Sequence, residues 1–310
     1  MKINVLVGKI LWMIFLTSCV STPSQTGDAN NNLTTPVATV SLAPVTTTVI
    51  VPFPTEIATL PLQDGMVTIE DLMKTNMGCN LPCFWGIIPG VTGWETAEKF
   101  LQTIGATVGN IETSPGINYH SVVFENENLT LGDNFGFYEI ANTVDTILAS
   151  GNLFGSTRNV KDFISLWDSY SPKKIITNYG IPSRVLLSSV FAIGYGDNDR
   201  RGYILWIFYD HLGLLIRYDG TVADLPIYHI CPLFQEEGNI TRIDLTLQNP
   251  SNSTPLELHD SILAKLSVSR KIIPIEEASG INTEDFYNLF VNEESQSCFD
   301  TLREIWKLEQ

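Results

Sequence analysis

Basic side chains are scarce in this 310-residue chain: 18 lysines and arginines stand against 34 aspartates and glutamates, a formal charge of −16. The phosphates of DNA or RNA would repel such a surface, so nucleic acid is excluded as a partner. Histidine is scarcer still, and His120, His211, His229 and His259 are scattered without HExxH spacing. A G-x-S-x-G nucleophile elbow, a phosphate-cradling glycine loop and a dinucleotide fingerprint are all missing. The sequence therefore predicts no cofactor and no metal, and it favours a protein that is not an enzyme. What the chain does have is 44% hydrophobic and 10% aromatic residues, a globular composition rather than a disordered one.

Residues 1–18 read MKINVLVGKILWMIFLTS, with Lys2 and Lys9 early and a wholly apolar run from Ile10 to Leu16. A basic start, a short apolar run and small residues before a cut predict a secretory signal peptide, and the run is too short to span a bilayer permanently. The quartet Leu16-Thr17-Ser18-Cys19 resembles the lipobox of bacterial lipoproteins. That resemblance implies cleavage before Cys19, acylation of its sulfur and of the new amino group, and a palmitate-type anchor at the cell membrane or outer membrane, facing outside the cytoplasm. Each buried methylene contributes about 0.8 kcal/mol, so two or three chains anchor stably where one would not. An ordinary signal peptide with an incidental cysteine is the alternative.

Cys19 opens a tether that runs to residue 62. From Val20 onward it holds 19 Ser, Thr or Pro in 43 residues, no lysine or arginine, and only Asp28 and Glu56 as acids. No helical or strand period survives that composition, and the prolines favour extended chain. Lys2 and Lys9 balance Asp28 and Glu56, so the whole −16 falls on the body, residues 63–310.

In the body, Thr68-Ile69-Glu70-Asp71 predicts a helix start, and Thr92-Gly93-Trp94-Glu95 a capping box. Trp94, Ala97, Leu101 and Ile104 then recur at helical spacing up to Gly105. Val160, Phe163, Ile164 and Trp167 mark another helix, and Ser171-Pro172 opens a third that stops at Gly180. Strand-like segments follow each pair: 119–124, 134–140 and 144–150, then 190–196, 203–210 and 213–219, with His211-Leu212 turning the last two. Placing Gly105 on Gly180 aligns Lys99-Phe100-Leu101 with Lys174-Ile175-Ile176. The expectation is an α+β fold with antiparallel sheets, built from two possible tandem ααβββ units, about 66–150 and 158–224. A C-terminal segment, 225–310, adds a strand over 239–248, helices from Thr254 and Thr283, and a last helix capped by Asp300. Asp197-Asn198-Asp199 reads as a polar turn between strands; Arg201 stands where a calcium loop needs a ligand.

The second unit resembles the small ααβββ lipoproteins of the outer-membrane assembly machinery, the BamE/SmpA type. Gly180-Ile181-Pro182 fits their helix stop, and Trp206, Tyr209, Gly213, Tyr218 and Gly220 fit their strands; Thr107 stands where the first unit would need a proline. The stretch from Gly78 to Gly90, GCNLPCFWGIIPG, resembles a signature of bacterial lipoproteins of unassigned activity. In it, Phe84 and Trp85 either pack beneath a rigid loop or stand out as a binding surface.

Lipidation of Cys19 leaves four cysteines, and an even count outside the cytoplasm reads as two disulfides. Cys79 with Cys83 and Cys231 with Cys298 is the favoured of three connectivities. Redox work by the first pair is disfavoured by its CxxxC spacing and by the lack of a basic residue between Lys74 and Lys99. Zinc held by His229, Cys231 and other thiols is disfavoured by an oxidising compartment. The leading expectation is a membrane-anchored module that binds an envelope protein or glycan. An exported hydrolase with a site between the two units and an envelope-assembly factor are the alternatives.

Overall fold

Short apolar and aromatic segments separated by turns favour an antiparallel sheet. A computed structural model of the chain describes residues 62–124, 134–153, 160–190, 200–234, 240–251, 271–292 and 297–306. The strands are β1 (Ala106–Ser114), β2 (Ile117–Phe124), β3 (Asn134–Ile140), β4 (Thr143–Asn152), β5 (Arg184–Val190), β6 (Arg200–Tyr209), β7 (Leu214–Ala223), β8 (Ile227–Ile230), β9 (Ile240–Gln248), β10 (Ile272–Pro274) and β11 (Phe299–Leu302). All but two join one nine-stranded sheet in the order β1-β2-β3-β4-β9-β7-β6-β5-β10, and β8 pairs with β11 in a separate ribbon. Every pairing is antiparallel. With helices alongside, the fold is α+β.

Register aligns the apolar sets of neighbouring strands. Val122, Phe135, Phe137, Ile147, Leu247, Ile216, Ile207, Val185 and Ile273 all project from one face and belong to one core cluster. The helices α1 (Leu62–Thr75), α2 (Trp94–Thr103), α3 (Val160–Trp167), α4 (Pro172–Tyr179), α5 (Ile275–Ser279) and α6 (Thr283–Val291) add their apolar stripes to that same cluster. β9, from the C-terminal segment, lies between β4 and β7 and so joins the strands of the first helix–strand series to those of the second. On the opposite face of β5–β7, Ile204, Trp206, Phe208 and Leu215 form a smaller buried cluster, with the Arg184 guanidinium 4.3 Å above the Phe208 ring.

Several local expectations shift for physical reasons. Helix α1 begins at Leu62, so Thr68 lies inside it rather than capping it. Thr92 caps nothing: its hydroxyl accepts from the Ile88 N–H at 2.9 Å, and Gly93 stands at the start of α2 without a side-chain cap. The true capping box is at α6, where Asn282 and Asp285 exchange bonds. Asp300 lies in strand β11 rather than at a helix cap, because its segment pairs with β8. Strands β1 and β5 were not expected; of the strand expected at 190–196 only Val190, the last residue of β5, is described, and residues 191–199 and the helix expected from Thr254 lie outside the described residues.

Gly151 on β4 shows how closely the helices approach the sheet. A Cβ there would overlap the indole of Trp167. Gly151→Ala is expected to destabilise the protein by about 1–3 kcal/mol, the usual cost of overpacking, read as a lower urea midpoint.

Candidate functional site

The two sequence-expected disulfides are both formed, Cys79 with Cys83 and Cys231 with Cys298. The first closes a loop organised by a residue the sequence did not single out. Asn76 is buried, its Nδ2 donating at 2.8 Å to the carbonyls of Cys79 and of Cys83, while its Oδ1 accepts from the Trp85 N–H at 2.8 Å. Asn76, Met77 and Trp85 all take positive φ, a conformation asparagine tolerates better than most residues. The only sequence signal is an asparagine two residues before a glycine, Asn76-Met77-Gly78. Leu81 N–H donates to Tyr179 Oη at 2.9 Å and ties the loop to α4.

Phe84 and Trp85 are fully buried and stacked with ring centroids 4.6 Å apart, against Phe135, Tyr170 and Phe124. They are core, and the binding surface allowed for them at the sequence level is not there. Turning the loop inward is what buries them: backbone bonds between Phe84 and Ile87 close it over the rings. Cys19 lies outside the described residues.

The three described histidines do not converge. His120 is buried under Trp94, ring centroids 3.6 Å apart, with Nε2 2.8 Å from Glu139 Oε2, an oxygen that also accepts from Asn118. His229 lies on the β8–β11 ribbon, its Nδ1 2.6 Å from Asp300 Oδ1. His211 sits in the turn between β6 and β7, and His259 is outside the described residues.

A surface with different chemistry lies on the outer face of β1–β3. Register places Thr107, Gly109 and Ile111 of β1 beside Val123, Ser121 and Tyr119 of β2, and Ile117, Tyr119 and Ser121 beside Ile140, Tyr138 and Gly136 of β3. None of these side chains carries a charge. Ile111, Val123 and Ile140 are 58%, 55% and 41% exposed, three large apolar side chains on one face of the sheet. Tyr119 and Tyr138 pack side by side at 5.1 Å, and the Tyr119 ring covers Gly136 so closely that a Cβ there would overlap it. Burial raises the pKa of the Tyr119 phenol, so it stays a neutral donor.

Beyond β4 the outer face changes character. Arg217 pairs across the strands with Asp244, and Asp219 with Arg242; Arg217 grips Asp219 with two bonds of 2.7 and 2.6 Å, and Arg242 Nε donates to both oxygens of Asp244 at 2.9 and 3.0 Å. Burial nevertheless outweighs those two guanidiniums and holds the Asp244 carboxyl above its usual range. Such a group binds its proton more tightly folded than unfolded, so its stabilisation is complete at acid pH and is lost as pH rises through that range. Asp244→Asn is therefore expected to remove part of the fall in stability between about pH 4 and pH 7, read as a smaller difference between the two urea midpoints.

The edge of the sheet adjoins the uncharged face. Among the described strands β1 pairs only with β2, and its nine residues hold one acid, Glu112, and neither lysine nor proline. Charges, prolines and short length are the usual guards of an edge strand, and β1 carries little of any of them. No protein-family model, no curated protein and no solved structure matches the chain. Among the described residues, no helix is long and apolar enough to cross a membrane.

Proposed function

We propose that this protein is a lipid-anchored envelope module that captures an extended segment of a partner protein on the β1 edge, with the apolar and aromatic face of β1–β3 beneath it. One observation carries the reading: an exposed, uncharged sheet face lies against an unguarded edge strand in a chain of formal charge −16. An unpaired edge offers backbone donors and acceptors for affinity, and the neighbouring face supplies contacts that select side chains. The acidic remainder keeps the body off anionic lipid and off other copies of itself.

The anchor is the membrane-proximal half of the proposal, supported by the LTSC quartet and the Ser/Thr/Pro-rich segment after it. Cys19→Ser is expected to move the protein from the detergent phase to the aqueous phase in a phase-partition experiment; continued partitioning into detergent would refute lipidation. For the edge, envelope extracts passed over immobilised Cys19→Ser protein are expected to yield a defined partner. Adding Ile111→Lys should weaken capture of that same partner roughly tenfold or more, about 1.4 kcal/mol. The urea midpoint should hardly move, since Ile111 is already exposed. Equal capture by the lysine variant would overturn the site.

A further inference from the structure

The β8–β11 ribbon carries metal-ligand chemistry on a single face. Its ladder pairs Ile230 with Phe299 and His229 with Asp300, and the Cα atoms of Cys231 and Cys298, one step further along, are 4.2 Å apart. Because side chains alternate along a strand, His229, Cys231, Cys298 and Asp300 share one side, while Tyr228, Ile230, Phe299 and Thr301 are buried on the other. Ligand atoms of His229, Cys231 and Cys298 all lie within 4.8 Å of one another. Asp300 supports the set from behind: its carboxylate lies 2.6 Å from His229 Nδ1 and fixes the ring, and a neutral imidazole that donates from Nδ1 to it would offer Nε2 to a metal. That is the carboxylate–histidine arrangement that supports zinc ligands elsewhere.

We infer that this face is a redox-gated zinc site, closed to metal while Cys231 and Cys298 are joined and opened when a dithiol reduces them. In that step the S–S bond breaks, each sulfur gains a proton, and the two electrons come from the dithiol, which leaves as a disulfide. Zn2+ then displaces the two thiol protons and is held by the Cys231 and Cys298 thiolates and the His229 imidazole, three protein ligands with the fourth position open to water. Cleavage of the disulfide does not scatter the ligands. The ladder remains, and the ribbon is pinned by the Arg303 N–H to Pro226 carbonyl bond at 3.0 Å, by Arg303 to Asp224 at 3.1 Å and by Trp306 Nε1 to Thr301 Oγ1 at 3.1 Å. The side chains of His229 and Asp300 are 60% and 62% exposed, so an ion reaches them without unfolding.

The test is titration of the full chain in detergent with Zn2+ against a chromophoric chelator, before and after reduction, together with Co2+ spectra. The reduced protein is expected to bind one equivalent and to show thiolate-to-cobalt charge-transfer absorption; the oxidised protein is expected to show neither. Asp300→Asn should weaken zinc about 10–100-fold, the usual effect of losing a ligand's carboxylate support. His229→Ala should weaken it further. Both side chains are largely exposed, so neither variant threatens the fold. No uptake after reduction, equal uptake by the oxidised chain, or uptake unaffected by His229→Ala would each overturn the site.

Discussion

Trp85→Ala is expected to cost about 3–5 kcal/mol, the range for emptying a buried aromatic site, and to lower the urea midpoint accordingly. The indole is fully buried, with Phe135 4.9 Å and Phe84 4.6 Å from it, so its removal leaves a cavity that helix and sheet cannot both collapse into. Trp85→Phe should be much milder. Trp85 Nε1 is buried with no hydrogen-bond partner among the described residues, and phenylalanine removes that donor while keeping most of the ring contact. Asn76→Ala provides the matching test of the loop, because it strips the partner from the Trp85 N–H and from the Cys79 and Cys83 carbonyls at once. A near-neutral Trp85→Ala would mean that the loop is not part of the core.

Replacing both Cys231 and Cys298 by alanine should cost on the order of 4 kcal/mol, because the bond closes a loop of about 68 residues in the unfolded chain. The expected readout is a lower urea midpoint for the double variant than for the oxidised protein, with little difference once both are fully reduced. The pair with Cys79→Ala and Cys83→Ala should lose much less through chain entropy, since that loop spans a sequence separation of only 4. A double variant at 231 and 298 as stable as the oxidised chain would show that the ribbon holds without its bridge.

Much of the fold was legible because local signals agree with one another. Apolar spacing in α2, α3 and α4, the proline opening α4 and the glycine closing it, and the alternation in β2–β4, β6, β7 and β9 all survive in the structure. β1 was missed because Ala106–Ser114 holds glycine, asparagine and small polar residues that read as turn, and β2 supplies the pairing that makes it a strand. The cysteine pairing was legible from the even count left beside Cys19 and from spacing. The proposed binding face was not. Both alternating sets of β2 and β3 contain apolar or aromatic residues, Val122 and Phe137 on one side and Val123 and Tyr138 on the other, so periodicity alone does not say which side meets solvent. Helices packing on one side decide it. The His229–Asp300 pairing depends likewise on the register of β8 with β11, across a sequence separation of 71 that no local pattern reports.

The central claim, capture of an extended partner segment on the β1 edge, is tested most directly by hydrogen exchange of the β1 amides with and without the captured partner. Amides within 106–114 should gain protection on binding, while those of β5 and β10 at the far edge stay as they were. Full binding with unchanged exchange in β1 would contradict strand addition at this edge.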